Sequence, residues 1–314
     1  MLKNAAGFGS IHSMRLFSAA LFFVCCLVRA FDPATQDDSL ALVRHFKKPT
    51  EPLKPFVDEE IVLNVGETVT WMGGTDIYQQ NESGVFEDSI HFLFPDKKLR
   101  IRNIGWPADT VYRQQRPMFF FTDQGDTREG SVPDLREKLE PGLFVLRFGK
   151  MESLDGLERL EEFEKAYGRL VDELMKFSPR IVLLWPVPFS KEGPAGAFAD
   201  ERNSVLEKYR ESIQKMAESR GIVFAEGPSM SPFGKSVGVG DKPSVVKSLI
   251  REKNKLWLQY YRPTNWAFLF GDRQHVPSSR DHENTEHRWF VEELKKIPPL
   301  IEKADEAIWK EVQK

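Results

Sequence analysis

The sequence predicts an α/β fold, a parallel sheet covered by helices on both faces, on three observations. Five short apolar runs recur along the chain, amphipathic stretches separate them, and the first run ends in the glycine-rich turn Gly73-Gly74-Thr75-Asp76. The expected strands are Val69–Met72, Leu99–Ile104, Leu143–Phe148, Ile181–Trp185 and Ile222–Ala225. Each is mostly branched or aromatic and apolar throughout, the pattern of strands buried on both faces.

Helical spacing fills the intervals. Val85, Phe86, Ile90, Phe92 and Leu93 form one apolar set. Leu157, Leu160, Phe163, Tyr167, Leu170, Val171 and Leu174 form a second, and Val205, Leu206, Tyr209, Ile213, Met216 and Ala217 a third. Strand–helix alternation of this kind argues for a parallel sheet between two helical layers. Ligands of such sheets bind at the carboxyl ends of the strands, so the turns after Met72, Ile104, Phe148, Trp185 and Ala225 are expected around one site.

Composition narrows the function classes. With 314 residues and 41% hydrophobic content, the chain can bury one large core. The net charge of −3 and the lack of a long Lys/Arg block argue against a polynucleotide partner. No internal repeat or low-complexity segment stands out.

Residues 1–30 read as a signal peptide. Arg15 precedes the apolar stretch Leu16–Val28, and Val28-Arg29-Ala30 supplies a cleavage site. The stretch is shorter than the ~20 residues of a membrane span, although an uncleaved anchor is the alternative. Both cysteines, Cys25 and Cys26, fall inside it, so the processed chain would carry no thiol. Export to a periplasmic or extracellular space is therefore expected. An extended leader follows over 31–60, then a hydrolase-like domain over 61–240 and a helical C-terminal extension over 241–314.

The turns carry a resemblance. Gly73-Gly74-Thr75, Asn103-Ile104-Gly105-Trp106-Pro107-Ala108-Asp109-Thr110 and Phe148-Gly149-Lys150-Met151-Glu152-Ser153 resemble successive blocks of the SGNH (GDSL) hydrolase family. Arg180–Pro188 and Glu226–Gly234 continue the series, so the resemblance covers roughly residues 60–235. It implies a flavodoxin-like, three-layer α/β/α fold with a five-stranded parallel sheet. It also implies hydrolysis of acyl or acetyl esters on glycans or lipids, with no cofactor and no metal.

An acyl-transfer site needs a nucleophile, a base, a group orienting the base and donors for the oxyanion. The resemblance places Thr75 where the family has serine. The alternative role for Thr75 is a helix N-cap. Gly74, Ala108 and Gly149 fall at expected oxyanion or substrate-binding positions; Ala108 stands for a glycine whose main-chain N–H is the donor. Met151 replaces the family asparagine and donates nothing, while Glu152 beside it is expected to be ionised and to repel a developing anion. Glu226 matches the orienting acid, but Ser229 stands where the family has its histidine. Asp272-Arg273-Gln274-His275 offers the same Asp-x-x-His spacing further on, so His275 is the replacement base, with Asp272 or Glu226 orienting it. The alternative for His275 is a hydrogen bond within the C-terminal extension.

Other features carry bland and functional readings side by side. His282 and His287, near Asp281, would not share one helix face, so a metal there needs a loop; a solvated loop is the simpler reading. His91 reads as a packed or surface histidine. Trp257, Tyr260, Tyr261, Trp266 and Phe268 suit core burial, or a wall for a glycan or acyl group. Pro298-Pro299 should split the C-terminal pattern into a short and a longer helix. Two functions stand: an exported ester hydrolase with a modified site, and an inactive scaffold that binds a glycan, lipid or partner protein. A dinucleotide binder is a distant third, because Gly73-Gly74 lacks the spaced third glycine.

Overall fold

Five parallel strands form one sheet in the order β2-β1-β3-β4-β5. The strands are β1 (Thr68–Gly73), β2 (Arg100–Asn103), β3 (Leu143–Arg147), β4 (Ile181–Leu184) and β5 (Val223–Ala225). Every expected strand is present, and the order is that of a flavodoxin-like sheet. The computed structural model describes residues 46–56, 61–112, 139–225, 245–269, 273 and 275–314. The expected signal peptide, Glu226 and Asp272 lie outside them.

Side-chain alternation explains why β1, β3 and β4 are largely apolar, whereas the edge strand β2 differs from the expected apolar run by carrying Arg100, Arg102 and Asn103. Val69, Trp71, Leu143, Val145, Val182 and Leu184 enter the core on one face. Met72, Phe144, Leu146, Ile181 and Leu183 enter the core on the other. Both faces of the central strands β3 and β4 are covered, and every residue of these two strands is buried.

Helices fill the two layers. On the first face lie α1 (Thr75–Tyr78), α2 (Gln80–Ser83) and α3 (Val85–Leu93), which bring in Ile77, Phe86 and Ile90. On the second lie α4 (Leu160–Leu174) and α5 (Ala199–Arg220), with Phe163, Tyr167, Tyr209 and Ile213. Gly221, in the left-handed region, closes α5 as a glycine after a helix commonly does.

Four further helices follow: α6 (Val245–Tyr261), α7 (Trp266–Leu269), α8 (Trp289–Lys295) and α9 (Ile297–Val312). Pro298 and Pro299 occupy the first turn of α9, where the missing N–H groups cost nothing. The expected division into a short and a longer helix is present.

Helices α6 and α9 cover the exposed edge of β2. Along that strand the outward carbonyls of Leu99, Ile101 and Asn103 have no neighbouring strand. Trp309 Nε1 donates to Leu99 at 2.9 Å, Lys253 Nζ to Ile101 at 3.2 Å and Trp257 Nε1 to Asn103 at 2.6 Å. Three side chains thus take the place of a strand on an edge that would otherwise template pairing with another chain. Lys253 is fully buried and is neutralised by Glu87 at 2.5 Å, with His91 Nε2 3.4 Å from the same carboxylate. His91 is therefore a packed core histidine. Among the described residues no helix is long and apolar enough to cross a membrane.

Candidate functional site

Strand order reverses between β1 and β3, with β2 on one side and β4 and β5 on the other. A crevice opens at the carboxyl ends of strands flanking such a reversal. Here it is a cavity of about 340 Å³. Gly74, Thr75, Asp76 and Gln79 line it from the β1 side, Asp109 from the β2 loop, and Arg147, Phe148, Lys150, Met151 and Glu152 from the β3 side. Residues of three separate turns therefore meet at one place, and of the expected site residues Gly74 and Thr75 are in the lining.

Gly73 permits the close approach of β1 to β3. A Cβ there would lie 2.4 Å from the carbonyl oxygen of Arg147 and 2.7 Å from Ile77 Cγ1. Gly74 is similarly pressed, since its Cβ would sit 3.1 Å from the Asp109 carbonyl oxygen. Any acidic side chain at Gly74 would have to displace that loop.

Thr75 is the first residue of α1, and Gly74 holds the N-cap position without a side-chain bond. The N-cap reading of Thr75 is corrected accordingly. Its Oγ1 instead accepts the main-chain N–H of Ala108, at 2.9 Å. Nucleophile position and oxyanion-donor position are thus directly bonded. Ala108 adopts the left-handed conformation, φ 57°, which a glycine enters more readily than alanine does.

The Ala108 loop is held from behind by α6. Asn103 clamps the start of the loop, donating to the Ile77 carbonyl at 2.6 Å and accepting the Gly105 N–H at 2.9 Å. Tyr261 donates to the Ile104 carbonyl at 3.0 Å. The Arg262 guanidinium lies 3.8 Å from the Trp106 ring centroid. The aromatic segment expected either as core or as a ligand wall is core at Trp257, Tyr260 and Tyr261, which are buried. Trp257 stacks on Tyr261 with centroids 5.5 Å apart.

Glu152 differs from the expectation of an ionised, repelling charge. Its side chain is buried, and its two oxygens accept the N–H groups of Val111 at 2.8 Å and Gly149 at 2.9 Å. The carboxyl thereby ties the loop after β2 to the loop after β3. Burial pushes it up to about 7, against the opposing pull of those main-chain donors. The Gly149 N–H is consequently bonded to Glu152 inside the fold. Met151, at the family's asparagine position, lines the cavity with a thioether.

Sequence reasoning missed the cations. Arg147 ends β3 and is buried, with its guanidinium carbon 5.2 Å from the Phe86 ring centroid. Burial lowers it to about 10, and Asp76 works in the opposite direction. Lys150 Nζ lies 3.6 Å from Asp76 Oδ1. The signal was available: Arg147 is the one charged residue within the apolar run Leu143–Phe148.

His275 is exposed and is not among the residues lining the cavity. Its Nδ1 lies 3.3 Å from an Arg280 nitrogen. Arginine has no acceptor, so this contact calls for an unprotonated Nδ1, the reverse of a triad histidine that gives Nδ1–H to a carboxylate. Asp281 Oδ1 accepts the N–H groups of Glu283 and Asn284, and His287 packs edge-on against Trp289. Among the described residues no three His, Cys, Asp or Glu side chains gather as a metal site.

No protein-family profile matches the chain, and no curated protein matches it. Solved structures resemble its fold. An acetylxylan esterase catalytic mutant from Geobacillus stearothermophilus is 15% identical, with TM-score 0.39, over 62% of this chain and 95% of that one. A gut microbial diltiazem-metabolizing enzyme is 14% identical with TM-score 0.40, over 53% of this chain and 38% of that one. An alpha/beta hydrolase from the metagenome of Lake Arreo, Spain, is 14% identical with TM-score 0.38, over 80% and 98%.

Proposed function

We propose that this chain is an exported, SGNH-type hydrolase-like protein whose cavity between the ends of β1 and β3 receives an acyl or acetyl ester of a glycan or lipid. The observation that carries the reading is the 2.9 Å bond from the Ala108 N–H to Thr75 Oγ1. It sets a hydroxyl and a main-chain donor side by side at the switch point of the sheet. A carbonyl carbon held against Thr75 would then have its oxygen within reach of Ala108. The order of the family-like blocks along the sequence supports the same reading.

Turnover further requires a base to take the Thr75 proton. In this reading His275 is that base, oriented by Asp272 or Glu226. A second reading, binding without turnover, is favoured by the contact of His275 with Arg280 and by Met151 at the asparagine position. Both readings use the same cavity.

One assay separates them. Hydrolysis of p-nitrophenyl acetate by the purified, processed chain, abolished by Thr75→Ala, supports turnover at Thr75. Activity that survives Thr75→Ala but vanishes in His275→Ala moves the nucleophile elsewhere. No hydrolysis, together with calorimetric binding of an acetylated sugar that Thr75→Ala weakens, supports the scaffold reading.

A further inference from the structure

Beyond the cavity, the loop after β4 sets one aromatic ring in contact with two cations. Phe189 lies 5.3 Å, centroid to Nζ, from Lys150, and 5.7 Å, centroid to Cζ, from Arg202 in the first turn of α5. The two charges are therefore no more than 11.0 Å apart, the sum of those two distances. Arg202 is also held by Phe198, at 5.4 Å. Among the described residues Arg202 forms no ion pair; rings, not carboxylates, fix its guanidinium.

The ring itself is fixed. Asn203 accepts the Phe189 N–H at 2.8 Å and donates to the Phe189 carbonyl at 3.1 Å. One side-chain amide thus pins the backbone of this residue in both directions, and the neighbouring residue supplies the cation. The nearby carboxylates are engaged by other cations. Asp76 faces Lys150, and Asp200 is taken up by Lys191 at 2.6 Å. Glu201 is exposed on the helix. Arg202 is left as a donor held by two rings, one of them shared with Lys150, which lines the cavity.

We propose that Lys150, Phe189 and Arg202 form a subsite for an oxyanion group, a carboxylate or a sulfate, on the ligand of the Thr75 cavity. The ligand class is then an acidic ester, such as an acylated sugar acid or sulfated sugar, in place of a neutral one. This rests on the reading of the cavity as an ester site and narrows its substrate. Lys150 reaches both the cavity and the ring, so it links the ester group to the anionic group. The guanidinium offers a planar pair of donors suited to either oxyanion.

Calorimetric titration of the full chain tests it with three probes: acetylated glucose, acetylated glucuronic acid and acetylated glucose 6-sulfate. The acidic probes should bind roughly tenfold more tightly than the neutral one, a preference that raised salt should shrink. The two acidic probes tell carboxylate from sulfate. Arg202→Gln, outside the cavity lining, should remove most of the preference and leave acetylated glucose binding unchanged; Arg202→Lys should restore part of it. Lys150→Gln with Arg202→Gln should abolish it. Equal binding of neutral and acidic probes, or a preference that survives the double variant, overturns the subsite and leaves the ester reading standing. Failure of all three probes to bind overturns both.

Discussion

The indole Nε1 of Trp257 donates to the main-chain carbonyl of Asn103 at 2.6 Å, joining helix α6 to the end of β2. Asn103 begins the loop that carries Ala108, so a residue far along the chain braces the N–H that meets Thr75. Trp257→Phe would keep the stack on Tyr261 but leave the buried carbonyl unpaired. A loss of about 1–3 kcal/mol is expected. Thermal unfolding checks it, and a melting temperature equal to that of the parent would deny the brace.

A buried charge sits on the same helix. Lys253→Met should cost about 3–5 kcal/mol, because it strands the Glu87 carboxylate in the core. Adding Glu87→Leu should recover much of that loss. Burial works against the charged form of Glu87, but Lys253 and His91 outweigh it and hold the carboxyl below its ordinary value. A depressed acid stabilises the fold above its unfolded value and loses that contribution as pH falls through the folded one. Acid unfolding of the parent should therefore be steeper than that of the Lys253→Met, Glu87→Leu double variant.

Glu152 has the opposite sign. Its folded value, about 7, lies above the ordinary 4.5, so the folded chain holds a proton that the unfolded chain has released. Its contribution is greatest below pH 4.5 and is lost as pH rises towards 7, about 3 kcal/mol across the window. Glu152→Gln should flatten that part of the stability profile. Glutamine offers one acceptor oxygen to two main-chain donors, so a cost of about 1–3 kcal/mol at neutral pH is expected. Denaturant midpoints measured between pH 4.5 and 7.5 check both; an unchanged slope in the variant would assign the titration elsewhere.

Ala108 occupies a left-handed conformation that favours glycine. Ala108→Gly should stabilise the fold by about 0.5–1 kcal/mol, the relieved strain exceeding the added freedom of the unfolded chain. Ala108→Val should destabilise it, since a β-branched side chain tolerates that conformation poorly. Urea unfolding of the pair would show the two shifts in opposite directions.

Much of the fold is legible in single segments. The runs around Val69, Val145, Val182 and Phe224 declare themselves as strands because they are largely apolar, a local property, and the run around Ile101 by its apolar residues at alternate positions. Gly73 and Gly74 mark the site because a strand end pressed against its neighbour has no room for a Cβ. The cations are harder to read. Arg147 interrupts an apolar run, but Lys150 and Arg202 look like ordinary surface charges until Phe189 is seen in contact with both. Glu152 reads as a repelling charge next to a lost donor, and only its two main-chain partners turn it into a buried tie.

Turn Gly73-Gly74-Thr75 thus has its place from sequence and its partners from the fold. Strand, helix and turn follow from spacing and side-chain shape over a few residues, which a chain carries within itself. Which residues face Thr75 depends on contacts between distant segments. Ala108 meets it from the β2 loop, Glu152 joins that loop to the next, and Trp257 braces it from α6. Hydrogen bonds and burial between such segments exist only after the sheet has closed. The charge of Glu152, the conformation of Ala108 and the setting of Arg202 were therefore decided by tertiary structure alone.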